Sequence, residues 1–259
     1  MTKAEQPIAV IDSGIGGISV LKELVKVMPN EKFVYFGDFD NAPYGTKTME
    51  CVRDITVNNT KMLMDLGAKA VVVACNTATG AAVRLLREMY PEFPIVGIEP
   101  AVKPAVADRP HPTVLIMATP LTLKQEKFEA LLERVATPDA KIIRLPCAGL
   151  MEIIDEGHVE GAEIDAYLEK LFADVHKDEV DAVVLGCTHY PHAKDAIVKA
   201  LGGDVHVYDG GFGTAKETKR RVENAGLCAP ENQKGEVVFL NAEGHEEKIE
   251  IAKRFLYDA

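Results

Sequence analysis

"VVVACNTATG", residues 71–80, is an apolar run that stops at Cys75 and turns polar at Asn76 and Thr77. A short, continuous, valine-rich run is the pattern of a strand buried on both faces, and such strands belong to parallel sheets covered by helices. The same ending recurs in "AVVLGCTHYPH", residues 182–192, where the apolar stretch gives way to Cys187, Thr188 and His189. Two buried strands that both end on a thiol call for a common explanation.

Moving outward, β-rich apolar runs recur at residues 8–12, 33–37, 69–74, 94–98, 113–118, 141–145, 181–186, 204–208 and 236–240. Helical patterns separate them. Ile18, Leu21, Leu24, Val25 and Met28 fall on one helical face, and Met49, Val52 and Ile55 begin a second stripe that stops at Gly67, a favourable residue just past a helix end. Alternating strands and helices predict an α/β fold with mainly parallel sheets flanked by helices. The proline-rich stretch "EPAVKPAVADRPHPT", residues 99–113, is the candidate boundary between two lobes. Two similar lobes would bring the two thiol-bearing strand ends to face each other across a cleft.

A hydrophobic fraction of 47% and a charged fraction of 27% fit an ordinary folded chain. The formal charge of −11 disfavours nonspecific association with nucleic acid or an anionic membrane, so neither is expected as a partner. The opening "MTKAEQPIAVIDSG" reads as neither a secretory signal nor a membrane span, which makes a cytoplasmic location the expectation. Cysteines at 51, 75, 147, 187 and 228 are odd in number and widely spaced, unlike a disulfide framework, and are expected to be free thiols.

Ligands of parallel α/β sheets collect beyond the carboxyl ends of strands, where side chains and helix N-terminal NH groups are exposed. "DSGIGG" at 12–17, "PYGT" at 43–46, "CNT" at 75–77 and "CTH" at 187–189 put hydrogen-bonding groups there, a setting suited to a small anionic ligand. Asp12 would repel a simple phosphate, so a ligand carrying an ammonium as well, such as an amino acid, fits better. Asp12 or Ser13 as a helix cap is an equal alternative, and "GIGG" lacks the full dinucleotide-binding pattern and reads equally as a tight turn.

A packing role is expected for Cys51, Cys147 and Cys228. Cys75 and Cys187 differ by position, because a helix N-terminus lowers a thiol pKa from about 8.5 toward neutrality. One thiolate and one thiol facing each other could remove a proton from one side of a carbon and return it to the other, which is racemisation without a cofactor. His189 reads as a core histidine, a cap, or a group that stabilises a thiolate. Cys187, His189 and His192 form a weaker metal-ligand alternative, and Tyr44 reads equally as a packed turn aromatic.

Taken in order, "DSGIGG", "YFGD", "APYGTKT", "ACNTAT", "GIEP" and "LGCTHYPH" resemble the cofactor-independent aspartate/glutamate racemase superfamily, and within it the glutamate racemases, from Ile8 to near Gly213. The resemblance implies two similar α/β lobes with the active site in the cleft between them. It places residues 1–99 and 207–259 in a first, discontinuous lobe and 100–206 in a second. It implies catalytic Cys75 and Cys187, with Asp12, Ser13, Tyr44, Gly45, Asn76, Thr77, Thr188 and His189 at the substrate. It further implies interconversion of L- and D-glutamate, supply of D-glutamate for peptidoglycan, no cofactor, no metal, and a homodimer. An aspartate racemase, a binding protein that kept the pocket without catalysis, or an inhibitor of DNA gyrase are the alternatives. Phe39, Asp40, Asn41 and Ala42 depart from the family pattern. Asp155, often Glu in the family, and Glu152 read as a solvated helix face, with assistance to Cys75 or His189 as the alternative.

Overall fold

The computed structural model describes residues 2–135, 137–240 and 243–258. Its strands are β1 (Ile8–Asp12), β2 (Lys32–Gly37), β3 (Ala70–Val73), β4 (Ile95–Gly97), β5 (Thr113–Ala118), β6 (Lys141–Pro146), β7 (Ala182–Leu185), β8 (His206–Asp209) and β9 (Glu236–Leu240). The helices are α1 (Ile18–Val27), α2 (Met49–Asp65), α3 (Asn76–Met89), α4 (Val102–Val106), α5 (Pro120–Leu123), α6 (Glu126–Val135), α7 (Leu150–Asp155), α8 (Ala162–Leu171), α9 (Lys194–Ala200), α10 (Gly211–Asn224) and α11 (Glu246–Tyr257).

Two sheets result, with orders β4-β3-β1-β2-β9 and β6-β5-β7-β8, and every strand pair in them is parallel. Parallel strands are covered on both faces, which is why β1, β3 and β7 are buried along their whole length. Val10, Tyr35 and Val72 turn toward the side shared with α1, α10 and α11, while Ile11, Val71 and Val73 pack against α2 and α3. In the second sheet Leu115 and Val183 face α7, α8 and α9, and Val114 and Val184 face α4 and α6. Each such aliphatic side chain removed from water contributes about 1.5–3 kcal/mol.

In both sheets the chain lays down its first strand, crosses to one side, and then returns to the other. The first sheet therefore reverses direction between β1 and β3, and the second between β5 and β7. Crevices at the carboxyl ends of strands form where strand order reverses. Residues after β3 and β7 include Cys75 and Cys187, so both thiols stand at such a crevice.

The proline-rich stretch is not wholly a connection. It contains α4, which accepts Pro104 in its first turn, where the missing NH has no helical partner to lose. The expected 206/207 boundary falls inside β8, whose His206–Asp209 pairs with Ala182–Leu185, so the second sheet runs to Asp209. The chain then returns to the first sheet through α10, which packs on α1, and β9, which pairs with β2.

Candidate active site

A cleft of about 480 Å³ including its mouth lies between the carboxyl ends of the two sheets. Nine of the residues expected at the site line it: Ser13, Tyr44, Gly45, Cys75, Asn76, Thr77, Cys187, Thr188 and His189. Asp12 is not in that lining. It is buried behind it, with one carboxylate oxygen accepting from the Gly14 NH at 2.9 Å and the other from the Thr188 hydroxyl at 2.9 Å. Asp12 does not cap α1, whose first turn begins at Gly17 without a side-chain bond; it braces the loop at Gly14 instead, and its second oxygen ties the first lobe to the second.

Cys75 precedes the first residue of α3, and its sulfur lies 3.9 Å from the Ser13 hydroxyl. The helix N-terminus does not prevail here. Burial, followed by the negative charge of Asp12, pushes the Cys75 thiol up to about 12, because removal from water penalises the thiolate more than the helix end favours it. Cys187 is followed by a single turn of 3₁₀ helix, Tyr190–Ala193, and its sulfur lies 3.8 Å from Nδ1 of His189.

Nε2 of His189 sits 3.1 Å from Oδ1 of Asp155, an oxygen that also accepts from the Ile15 NH at 3.1 Å. The other carboxylate oxygen accepts from Nζ of Lys248 at 2.6 Å. Burial opposes a charged imidazole most strongly, but the bonds to Asp155 and Cys187 outweigh it and raise His189 to about 10. Burial likewise opposes the Asp155 carboxylate, and His189 and Lys248 together still hold it well below the carboxylate range. Asp155 is therefore no solvated helix face: α7 turns it inward to His189, while Glu152 lines the cleft mouth.

The "GIGG" glycines acquire a packing reason. A Cβ on Gly16 would stand 2.2 Å from Nδ1 of His189, and one on Gly14 would stand 2.6 Å from Oδ1 of Asp155. The loop after β1 can approach the imidazole and carboxylate only without side chains at these positions.

Tyr44 donates its hydroxyl to Asp38 at 2.5 Å, and Asp38 also accepts from Asn41 at 2.9 Å and Asn59 at 2.9 Å. The hydroxyl is thus held by Asp38, and Tyr44 lines the cleft. Asn76 is buried with its Oδ1 lacking a hydrogen-bond partner, an acceptor free for a ligand NH group. Thr77 bonds Thr119 at 3.1 Å and Thr122 at 3.0 Å, and Gln125 donates to the Thr77 carbonyl at 2.9 Å. Thr119 lines the cleft and was not among the expected residues. Its signal was a further polar ending to a buried run, "LIMAT" at 115–119.

Cys147 is buried as expected, but Cys51 and Cys228 are exposed. Cys51 lies on the outer side of α2, whose inner stripe is Val52, Thr56, Thr60 and Leu63. The ligand atoms of Cys187, His189 and His192 do not converge: His192 directs Nε2 to the Gly16 carbonyl at 3.3 Å and stacks on Phe255 with ring centroids 4.2 Å apart. Among the described residues, the one His/Cys/Asp/Glu group whose ligand atoms lie within 4.8 Å of one another is the exposed set Glu156, His158 and Glu163.

Comparison with known proteins extends the picture. Residues 10–217 match the family model described as Asp/Glu/Hydantoin racemase. The chain is 45% identical over 256 residues to a glutamate racemase of Clostridium botulinum (strain Alaska E43 / Type E3), covering 99% of each. A Francisella tularensis glutamate racemase solved in complex with D-glutamate superposes with a TM-score of 0.81 at 28% identity, over 98% of this chain and 94% of that one. An Escherichia coli glutamate racemase in complex with L-glutamate and the activator UDP-MurNAc-ala gives 0.83 at 28% identity, over 96% and 95%.

Proposed function

Because the chain belongs to the Asp/Glu/Hydantoin racemase family, we propose that it interconverts L- and D-glutamate by proton transfer between two thiols and the substrate α-carbon. One observation carries this reading: two buried cysteines, each the second residue after a central strand of its own sheet, line one cleft from its two lobes. A cleft with a thiol from either side suits a carbon that must lose a proton on one face and gain one on the other.

In the L-to-D direction the Cys187 thiolate takes the α-proton. The Cα–H bond breaks, an S–H bond forms, and the electron pair stays on the substrate as an enolate-like carbanion. The Cys75 thiol then delivers its proton to the opposite face, and the two sulfurs end with their protonation exchanged. The reverse direction begins with Cys75 as thiolate. Preorganised donors at the substrate carboxylate stabilise the charge as it develops, a role that suits the NH groups at the start of α3 and the hydroxyl of Ser13. The free Oδ1 of Asn76 is an acceptor for the ammonium.

A raised Cys75 thiol accords with this scheme. The negative charge of Asp12 is the second cause of that rise, and an ammonium bound nearby offsets it, so substrate itself helps to create the base. The same reading takes the product as D-glutamate for peptidoglycan, the location as cytoplasmic and the assembly as a homodimer. No helix among the described residues is long and apolar enough to cross a membrane.

Incubation with L-glutamate in deuterium oxide, without added cofactor, tests the activity. Loss of optical activity with deuterium appearing at the α-carbon is expected, and faster turnover of aspartate would overturn the substrate assignment. Cys75→Ser and Cys187→Ser should each lower kcat by a factor on the order of 10²–10⁴. Full turnover by either variant would remove the two-thiol mechanism.

A further inference from the structure

Lys248 is the one part of the His189 environment that comes from far outside the site. It lies on α11, which packs on α1 of the first lobe, yet its Nζ reaches Asp155 at the end of α7 in the second. It makes two bonds there, 2.6 Å to Oδ2 and 2.7 Å to the backbone carbonyl. The far oxygen, Oδ1, faces His189, and the far nitrogen of His189 faces Cys187. When Cys187 is a thiolate, Nδ1 must donate to it while Nε2 donates to Asp155, so the imidazole carries both protons. Lys248, Asp155 and His189 then sum to one positive charge behind the sulfur, whereas Asp155 and His189 alone sum to zero.

We propose that Lys248 is a positioning residue for proton transfer at Cys187, acting through Asp155 and His189 to keep a net positive charge and a fixed imidazole against that sulfur. Among the described residues no such chain stands behind Cys75. Its neighbours are Ser13 and the negative Asp12. Lys248 therefore favours one of the two transfers, the one at Cys187. Asp12, Cys187 and His192 are the other titratable groups that face His189, and none of them supplies a fixed positive charge.

The inference rests on the two-thiol reading above, and the tests separate the two. Free L- and D-glutamate are equal in energy, so kcat/KM must be the same in both directions, and its loss alone cannot tell which thiol is affected. Deuterium isotope effects can. The native enzyme is first assayed with glutamate, and inactivity there removes the reading itself. Lys248→Met and Lys248→Gln are then compared with native using α-deuterated L-glutamate and α-deuterated D-glutamate.

Both variants should lower kcat/KM on the order of tenfold, about 1.4 kcal/mol in the barrier. The isotope effect on kcat/KM should rise with deuterated L-glutamate, because abstraction by Cys187 becomes more rate-limiting. With deuterated D-glutamate it should fall, because delivery by Cys187 becomes the slow second step. Lys248→Arg, which keeps the charge, should recover most of the rate. Lys248→Gln keeps a hydrogen-bond donor without charge, so it folds even where the Met variant does not, and a merely structural role predicts native behaviour for it. Native rates and isotope effects in Lys248→Gln, or equal or reversed changes with the two enantiomers, would overturn the proposal.

Discussion

His189 is buried to 1% exposure and nonetheless holds its proton well above the ordinary 6.5 of an imidazole. A group whose folded pKa is raised stabilises the fold fully below its unfolded value and loses that contribution as pH climbs through the folded value. For His189 the window runs from 6.5 to about 10. Denaturant unfolding across that range should show stability falling with pH, and His189→Asn should flatten the fall by an amount on the order of a few kcal/mol. An unchanged slope in the variant would mean that His189 is neutral in the folded protein. At this scale the sequence was a partial guide. The polar segments and the family resemblance together named nine residues that line the cleft, but the direction of the Cys75 shift was missed. A helix N-terminus is visible in sequence, whereas the burial that outweighs it and the neighbouring Asp12 carboxylate are products of the fold.

At the scale of elements, the nine apolar runs match the nine strands to within two residues at every end. For β1, β3 and β7 the reason is physical: a strand buried on both faces admits almost no polar residue, so the pattern writes its own boundaries, whereas β6, β8 and β9 are only partly buried and were marked by their β-branched and aromatic residues. Short helices carry no such signal. Six-residue α7 is too brief for a 3.6-residue period to distinguish its inner from its outer side, which is why Asp155 read as solvated. Lys248 was beyond reach because it contacts Asp155 across 93 positions of sequence. The loop between β1 and α1 makes a testable case at this scale. Gly16→Ala places a methyl against the His189 ring, and overpacking of this kind costs about 1–3 kcal/mol. The variant should melt at lower temperature and also lose activity as the imidazole is displaced. Native melting and turnover would show that the ring has room to move.

For the molecule as a whole, the two lobes are held in register by polar contacts as well as by chain connection. Thr188 bonds Asp12, Thr77 bonds Thr119 and Thr122, and Gly45 lies where a Cβ would stand 3.0 Å from Thr119. β9, which follows the second sheet in sequence, pairs with β2 of the first sheet. A second long-range tie sits opposite the cleft. Lys69, fully buried, pairs with Glu31 at 2.5 Å and donates to the Ala4 carbonyl, while Glu31 also accepts from the Ala229 NH at 2.9 Å. Lys69→Met leaves Glu31 buried without its counter-ion, a loss of about 3–5 kcal/mol. Thermal unfolding should register it as a clear drop in Tm, with kcat at low temperature little changed because no site residue is touched. A Tm within error of native would mean that water replaces the ammonium.

The order in which these parts leave the ribosome differs from the order in which they function. The second sheet is complete once Asp209 has been made, but the first still presents an unpaired β2 edge until Glu236–Leu240 arrives to cover it. Both thiols are therefore synthesised, and one lobe can close, before α11 exists to bring Lys248 and Phe255 to Asp155 and His192. A nascent chain stalled short of Glu246 carries every group that touches the cleft but lacks the helix that braces them, so maturation of the catalyst is an event of late translation.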